Sequence, residues 1–376
     1  MKQHNLYICV GTRADIIKMH PIITELRNSK FLELFVCLSG QHSFLANSII
    51  EEFNLKFDCN FNIMKDSQSL DYILSILINK FTDKMKQVAP NYVLIHGDTT
   101  TALAGALAAS YLKIPIIHIE AGLRTYSDVP FPEELNRRLI SVCTKYFMCP
   151  SVANAKNLIS ENVDESYVYV TGNSIVDVLC ESIQDEYIFE NETIKNIDFS
   201  IVKVIVVTIH RREKTKSELI NICKAIKNAA SLLKDSIIVW SVHPNPRIKN
   251  VVYEEMAIEN VILTESLKVK DMHNLIFKAD LIITDSGGVQ EEAYYLNKPS
   301  LIIRDNTERM DCFNDSISKI LNPNSSNLAD EILNFICASP KTDNNLGLYK
   351  IHSLEGASKK IVNHISDILN FKFEKR

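Results

Sequence analysis

Short apolar runs rich in β-branched residues recur along the chain, and each is followed by a polar turn and a segment with helical spacing. Because the runs are nearly continuous rather than alternating, they predict parallel strands that helices cover on both faces. The pattern occurs in both halves, so it predicts an α/β protein with two doubly wound, Rossmann-like domains and a cleft between them. The predicted strands are residues 5–10, 34–38, 92–96, 114–119, 146–149 and 167–170, then 203–209, 236–242, 260–264, 281–284 and 300–304.

Length and composition agree with this organisation and exclude several classes of function. The chain has 376 residues, of which 46% are hydrophobic and 23% charged, enough for two buried cores. A net charge of -5 gives no general attraction to nucleic acid. The nine cysteines include no C-x-x-C pair, which favours buried thiols in a reducing compartment over a metal or disulfide framework. No apolar stretch reaches about 18 residues, so we expect a cytoplasmic protein without a membrane span.

Ionisable side chains collect directly after the predicted strands. In open parallel sheets, ligands bind beyond the carboxyl ends of the strands, so these positions predict a ligand-lined cleft. The segments concerned are residues 11–15, 97–101, 120–124, 210–213, 243–245 and 285–292.

The segment Ser286-Gly287-Gly288 precedes a helical pattern and predicts an anion site. Backbone N–H groups at a helix start face a bound phosphate, and glycine lets the ligand approach the backbone closely. Neither G-x-G-x-x-G nor G-x-x-x-x-G-K-[ST] occurs in the chain. The sequence therefore gives no support for a nicotinamide cofactor or a P-loop.

Arg13 and His210 come from different halves of the chain, and each follows a predicted strand. Both side chains can donate to phosphate oxygens. One glutamate of the pair Glu291 and Glu292 would suit ribose hydroxyls, which donate to a carboxylate. These residues extend the predicted anion site to a whole nucleotide.

Three carboxylates in the first half, Asp98, Glu120 and Glu133, are candidates for proton transfer. In a site from which water is excluded, a carboxyl group can act as an acid or base near neutral pH. Each alone could equally be a helix cap or part of a solvated turn. Asp98, which precedes three threonines, is especially similar to an N-cap.

Taken in order, these motifs closely resemble the non-hydrolysing UDP-N-acetylglucosamine 2-epimerases. The resemblance implies a glycosyltransferase-B type fold and epimerisation at C2 of a UDP-activated N-acetylamino sugar, without a metal or other cofactor. The matching stretches are GTRADIIKMHP (11–21), HGDTTTALA (96–104), HIEAGLRT (118–125), PFPEELNRR (130–138), TGNSIVD (171–177), HRRE (210–213), VHPNP (242–246), DSGGVQEEA (285–293) and RDNTER (304–309).

The resemblance also implies a mechanism. A base takes the C2 proton, UDP is eliminated, and a 2-acetamidoglucal intermediate forms. The glucal rotates or is protonated from the other face, and UDP adds back. It assigns proton transfer to the carboxylates Asp98, Glu120 and Glu133, and stabilisation of departing UDP to His210.

The resemblance also implies a domain organisation, an oligomeric state and further ligand residues. The resemblance implies a homodimer, a first domain at residues 1–172 with the proton-transfer carboxylates, a UDP-binding domain at 173–360, and a C-terminal helix at 361–376 that packs back on the first domain. The implied UDP ligands are Arg13, His210, Ser286, Gly287, Gly288 and Glu292. Additional substrate or effector contacts are implied for Lys18, Gln41, His42, Arg212 and Arg309.

The sequence departs from the family pattern at several positions. Ala14-Asp15 replaces Pro-Glu, Lys214-Thr215-Lys216 replaces an Asn followed by a nearby Gly, and Met310-Asp311 replaces Pro-Glu. Ser43 stands where an Arg contacts a second, activating UDP-sugar in bacterial members.

Four alternatives to this activity stay open. One is a hydrolysing epimerase that releases UDP and free N-acetylmannosamine, which Ala14-Asp15 favours. Another is an epimerase of a modified UDP-diacetamido sugar. The others are a glycosyltransferase of the same fold and a catalytically inactive UDP-sugar sensor.

Overall fold

The computed structural model describes residues 4–29, 32–40, 43–64, 68–211, 214–233, 235–339 and 343–371. The chain divides into two compact units, one comprising Met1–Val178 with Leu354–Arg376 and the other Leu179–Ser353. Each unit contains a sheet in which all neighbouring strands are parallel. The predicted α/β class with two doubly wound sheets is thereby confirmed.

The first unit contains a seven-stranded sheet. Its strands are β1 (His4–Val10), β2 (Leu32–Leu38), β3 (Cys59–Asn60), β4 (Tyr92–His96), β5 (Ile116–Ile119), β6 (Tyr146–Cys149) and β7 (Val168–Val170), in the order β3-β2-β1-β4-β5-β6-β7. Its helices are α1 (Arg13–Arg27), α2 (Ser43–Glu52), α3 (Leu70–Val88), α4 (Thr100–Tyr111), α5 (Glu133–Cys143), α6 (Val152–Ser160), a 3₁₀ turn (Glu165–Tyr167) and the C-terminal helix α15 (Ala357–Phe371). Helix α7 (Ile175–Ser182) spans the division between the units.

The second unit contains a six-stranded sheet. Its strands are β8 (Lys203–Thr208), β9 (Ser236–Ser241), β10 (Val261–Thr264), β11 (Leu281–Thr284), β12 (Ser300–Ile303) and β13 (Ser318–Leu321), in the order β10-β9-β8-β11-β12-β13. Its helices are α8 (Glu192–Lys195), α9 (Lys216–Leu232), α10 (Pro246–Glu255), α11 (Val269–Lys278), α12 (Gly287–Tyr295), α13 (Leu328–Ala338), α14 (Asn344–Leu354) and a 3₁₀ turn (Met310–Cys312).

Strand order reverses once in each sheet, beside its first strand. In the first unit the reversal lies between β1 and β4, and in the second between β8 and β11. Connections leave such a point toward opposite faces, so a crevice opens at the carboxyl ends of the two strands. Arg13, Asp98, His210 and Asp285 all lie within three residues of these strand ends.

Side chains of threonine and serine start the helices at these crevices. Thr12 and Asp15 form a reciprocal capping box at the start of α1, and Thr99 accepts the N–H of Ala102 at the start of α4. The N-cap of α4 is therefore Thr99. The alternative interpretation of Asp98 as a helix cap is wrong, because the helix begins one residue later than that interpretation requires.

Apolar helix faces cover each sheet. Helix α9, for example, buries Leu219, Ile222 and Ile226 against the core that also holds the single tryptophan, Trp240. Within the described ranges, no helix combines the length and the apolar character needed to cross a bilayer.

The C-terminal helix α15 belongs to the first unit, where it packs on α1. Its start is fixed by the Asp177 carboxylate, which accepts the N–H groups of Gly356 at 2.6 Å and Ser358 at 2.7 Å. The domain limits given by the resemblance, at residues 172 and 360, stay a prediction.

Candidate functional site

Glu120 directly follows β5 and lies in a buried, charged environment. Its backbone has a φ of 64°, in the left-handed region that non-glycine residues seldom adopt. The residue is 8% exposed, and Lys18 of α1 forms an ion pair with its Oε2 atom. The Nε2 atom of His96, the last residue of β4, lies 3.5 Å from the same oxygen. Lys18, implied as a ligand contact, is thus placed beside a proposed proton-transfer carboxylate.

Asp15 connects the start of α1 to the end of β4. Its Oδ2 accepts the N–H of Thr12 at 2.9 Å and the hydroxyl of Thr99 at 3.3 Å, and its Oδ1 lies 3.2 Å from Nδ1 of His96. Because Asp15 is 4% exposed, these contacts form away from bulk water. The position that departs from the family pattern therefore contacts His96 directly.

Asp98 is held at the end of β4 by two residues of α5. The Nη2 atom of Arg137 lies 2.5 Å from Oδ2 of Asp98, and the amide of Asn136 donates to the Asp98 carbonyl oxygen at 2.8 Å. The Arg137 side chain is buried, whereas the Asp98 side chain is 18% exposed. The carboxylate is thus oriented by a buried cation and still reaches solvent.

The carboxylate that shares Arg137 with Asp98 is Glu134, which the sequence did not single out. Its Oε2 atom lies 2.5 Å from Nη1 of Arg137, and it also accepts the N–H groups of Thr125 and Tyr126. Burial would raise the pKa of Glu134, but the Thr125 N–H and the Arg137 charge together hold it below its ordinary value. The i, i+3 spacing of Glu134 and Arg137 was the signal that could have identified this pair.

Glu133, the third predicted carboxylate, is the first residue of α5 and is half-buried. Arg13 is the first residue of α1 and is likewise half-buried. Gln41, His42 and Arg212 lie outside the described residues.

His118, a second histidine in this region, is unsuited to proton transfer. It lies one residue before the end of β5, and its Nε2 lies 2.7 Å from the carbonyl oxygen of Gly97. Burial lowers the pKa of His118 to about 4, so the ring is neutral at physiological pH.

In the second unit, Asp285 organises the crevice at the ends of β8 and β11. Its fully buried carboxylate accepts the N–H groups of His210 at 2.9 Å and Arg211 at 3.1 Å. The His210 side chain is 40% exposed, with Nδ1 3.4 Å from Asp285, and its ring stacks on His243 at 5.8 Å between centroids. The sequence did not predict this role of Asp285, although its place directly after a strand was the available signal.

Helix α12 begins at Gly287, with Ser286 as its N-cap. The guanidinium group of Arg309 lies against this first turn, where it forms ion pairs with Glu291, at 2.8 Å, and with Glu308. Glu292, the other glutamate of the pair, is 3.7 Å from Nε2 of His273. Arg309 and Glu291 therefore support the helix start, and the side chain of Glu292 is 10% exposed beside it.

The close approach of Arg309 gives a matched pair of glycine substitutions. A Cβ atom at Gly287 would lie 2.6 Å from Nη1 of Arg309, whereas one at Gly288 would meet nothing nearer than Ser286 Oγ at 3.9 Å. Gly287→Ala is expected to displace Arg309 from its ion pairs and lower the free energy of unfolding by about 1–3 kcal/mol. Gly288→Ala should change it by less than about 1 kcal/mol. Urea unfolding of both variants tests this, and equal stabilities would contradict it.

A basic cleft of about 440 Å³ lies beside this crevice in the second unit. Its lining includes four basic residues, Arg211, Lys214, Lys216 and Arg247. The apolar side chains of Leu219 and Ile248 also line it. The segment at residues 214–216, which departs from the family pattern, therefore adds positive charge to this cleft.

The two units offer complementary chemistry. The first brings carboxylates together with a lysine, an arginine and an imidazole, a combination suited to moving protons. The second presents a helix start, an accessible imidazole and basic side chains, which are suited to binding an anionic group.

Comparison with known proteins identifies a family that matches nearly the entire chain. The family described as UDP-N-acetylglucosamine 2-epimerase matches residues 24–366. The UDP-N-acetylglucosamine 2-epimerase of Campylobacter jejuni is 37% identical over 369 residues, which cover 95% of this chain and 96% of that protein.

Two solved structures have folds similar to that of this chain. The UDP-GlcNAc 2-epimerase of Neisseria meningitidis bound to UDP-GlcNAc has a TM-score of 0.87 and 34% identity, and covers 96% of this chain and 100% of that one. The Methanocaldococcus jannaschii UDP-GlcNAc 2-epimerase in complex with UDP-GlcNAc and UDP has a TM-score of 0.83 and 29% identity, covering 98% and 99%. The glycosyltransferase-B type of fold that the resemblance implied is thereby confirmed.

Proposed function

The chain belongs to the UDP-N-acetylglucosamine 2-epimerase family, and on that premise we propose that it interconverts UDP-N-acetylglucosamine and UDP-N-acetylmannosamine without hydrolysis. The protein is an isomerase that inverts C2. In the proposed route, UDP is eliminated as the C2 proton is removed, a 2-acetamidoglucal forms, and UDP adds back after C2 is protonated from the other face.

The observation that carries this proposal is the environment of Glu120. A C2–H bond beside a neutral N-acetyl group is a poor acid, so its cleavage requires a positioned base together with stabilisation of the leaving group. Glu120 is buried, ion-paired with Lys18 and adjacent to His96, and its burial supports a proposed role as a base that acts away from bulk water. Asp98, oriented by Arg137, and Glu133 complete the proposed set of proton-transfer groups.

The other half of the reaction is stabilisation of departing UDP. We assign it to His210, whose exposed ring is oriented through Asp285, together with Arg13 and the N-terminus of α12 at Ser286, Gly287 and Gly288. Glu292 would accept from the ribose hydroxyls. Lys18, Gln41, His42, Arg212 and Arg309 remain proposed as additional substrate or effector contacts.

Proton and phosphorus NMR in deuterated water tests the proposal. UDP-N-acetylglucosamine should be converted to an equilibrium mixture of two UDP-sugars, each with deuterium at C2. Accumulation of UDP and free N-acetylmannosamine would instead establish the hydrolysing alternative. Turnover without deuterium at C2 would exclude this route and favour transfer to an acceptor, and binding without turnover would favour a sensor.

The same assay decides which sugar is the substrate. A panel that includes UDP-diacetamido sugars should show the highest kcat/KM for UDP-N-acetylglucosamine. A higher value for a diacetamido sugar would move the assignment to the modified substrate. We place the reaction in the cytoplasm, a proposal supported by the many buried free thiols, which are typical of a reducing compartment.

A homodimer is also part of the proposal, and α5 supports it. Three of the four buried residues of this helix are polar, Glu134 and Arg137 among them, whereas several of its apolar residues point outward. Leu135, Leu139 and Val142 are spaced at i, i+4 and i+7 and are 50%, 43% and 86% exposed. An apolar stripe of this kind is typical of a face that a partner covers, and a second copy of this chain is the partner we propose.

Val142→Glu is expected to shift the protein from dimer to monomer, because a carboxylate would be buried without a cation in the apolar centre of the interface. Light scattering after size-exclusion chromatography at micromolar concentration measures the mass. Ile201→Glu, at a position that is 76% exposed in the other unit, is the matched control and should leave the mass unchanged. A monomeric wild-type protein would contradict the proposal.

A further inference from the structure

His96 is a buried titratable side chain to which the proposed reaction gives no role. It ends β4 and is 4% exposed. Charged or titratable groups face it from each neighbouring element, with Asp15 and Lys18 on α1, and His118 and Glu120 at the end of β5. His118 is neutral, because burial lowers its pKa to about 4. Asp15 and Glu120 are therefore the neighbouring groups that can share or exchange a proton with His96.

The contact with Asp15 determines which ring nitrogen carries the proton. The Asp15 carboxylate already accepts from Thr12 and Thr99, and its Oδ1 atom lies 3.2 Å from Nδ1 of His96. A carboxylate that accepts from all its neighbours requires a donor at Nδ1. The neutral ring therefore carries its hydrogen on Nδ1, and Nε2 has a lone pair available.

That lone pair is directed into the neighbourhood of Glu120. Nε2 has no hydrogen-bond partner among the described residues, although its surface is buried, and it lies 3.5 Å from Oε2 of Glu120. An ionised carboxylate and an unprotonated nitrogen at this separation repel each other. A single proton between them converts the repulsion into a charge-assisted hydrogen bond.

The charges around the pair can accommodate the proton that Glu120 takes from C2. With neutral His96, the charges of Asp15, Lys18 and Glu120 sum to one negative charge in a buried region. Protonation of His96 makes the cluster neutral and places the imidazolium between two carboxylates. A buried cluster is stabilised when its charges are balanced in this way.

We infer that His96 is the positioning residue that receives and returns the proton Glu120 exchanges with the sugar. When the C2–H bond breaks, its electron pair forms the C1–C2 double bond, UDP leaves with the electron pair of the C1–O bond, and the proton goes to the Glu120 carboxylate. The O–H bond then breaks as an N–H bond forms at Nε2, and Asp15 stabilises the imidazolium. In the opposite direction the same steps run in reverse. The inference rests on the proposed function, since it assumes that Glu120 transfers the C2 proton.

His96→Gln should lower kcat and the rate of deuterium incorporation at C2 by about 100-fold or more, with KM changed less than about threefold. The limb of the pH–kcat profile that belongs to the pair should move to lower pH, because a lone carboxylate replaces a carboxylate–imidazole pair. A purely structural role would lower the yield of folded enzyme without moving this limb.

Asp15 provides a second test that leaves β4 intact. Asp15→Asn should reproduce the kcat loss and the shifted limb in weaker form, because an amide can no longer stabilise the imidazolium. Asp15→Glu should restore both, since glutamate at the third helical position also closes a capping box. His118→Gln is the matched control, which removes a buried imidazole that does not titrate above about pH 5, and should keep the wild-type limb.

Two results would overturn the inference while the proposed function stands. One is wild-type kcat and pH profile in folded His96→Gln enzyme. The other is Asp15→Glu behaving like Asp15→Asn. Failure of the proposed function is distinguishable, because wild-type enzyme would then place no deuterium at C2 at all.

Discussion

Glu120→Gln is expected to lower kcat by about 1000-fold while the affinity for UDP changes less than twofold. The amide keeps the shape of the side chain but cannot accept the C2 proton. Steady-state kinetics with UDP-N-acetylglucosamine measure kcat, and calorimetry measures UDP binding. The unchanged affinity follows because the proposed UDP ligands are other residues.

A matched control separates this effect from the general loss of an ion-paired glutamate. Glu265 pairs with Lys249 at 3.0 Å, and its side chain is 82% exposed, so Glu265→Gln should keep wild-type kcat. Asp98→Asn should resemble Glu120→Gln, with UDP binding retained and most turnover lost. Wild-type activity in either variant would remove that carboxylate from the proton-transfer role.

The second large effect is expected for Arg137→Met, which should lower the free energy of unfolding by about 3–5 kcal/mol. Arg137 is a buried cation between Asp98 and Glu134, so its loss removes the cation that the two carboxylates share. Arg138→Met is the matched control. Its side chain is 47% exposed and contacts the same glutamate at 3.2 Å, so its loss should cost less than about 1 kcal/mol.

The difference in unfolding free energy between wild type and Arg137→Met should depend on pH through Glu134. Its pKa is lowered in the folded protein, so its contribution to stability is complete above the ordinary carboxyl pKa and is lost as the pH falls through the lowered value. The gap between wild type and Arg137→Met should therefore be widest near neutral pH and narrow below about pH 4. Urea unfolding at several pH values measures it. A constant gap, or equal losses in the two arginine variants, would contradict the assigned role of Arg137.

The sequence predicted the strands where apolar runs were long and missed them where they were not. β3 consists of the two residues Cys59–Asn60, and β13 (Ser318–Leu321) has two polar residues followed by two apolar ones at the sheet edge. Both edge strands are covered on fewer sides than the central ones, so their sequences need less continuous hydrophobicity. The central strands, such as β4 with every residue buried, carried the recognisable signal.

The candidate site was predictable as a set of positions and not as a set of partners. Asp98, Glu120, His210 and Ser286 were identified because each follows a strand. Glu134, which shares Arg137 with Asp98, was missed because it lies within a helix whose buried residues are mostly polar, which is opposite to the usual pattern.

The sequence by itself determined the parallel α/β class, the two strand–helix series and the family. Hydrophobic periodicity and strand-end motifs are local properties, so they can be recognised without knowledge of the fold. Tertiary structure decided which charges meet. Lys18 and Glu120 are 102 residues apart in the chain, and Asp98 and Arg137 are 39 apart. Such pairs form because the sheet brings the carboxyl ends of its parallel strands, and the helices that follow them, to one edge, and the strand order that does so is not encoded in any single segment.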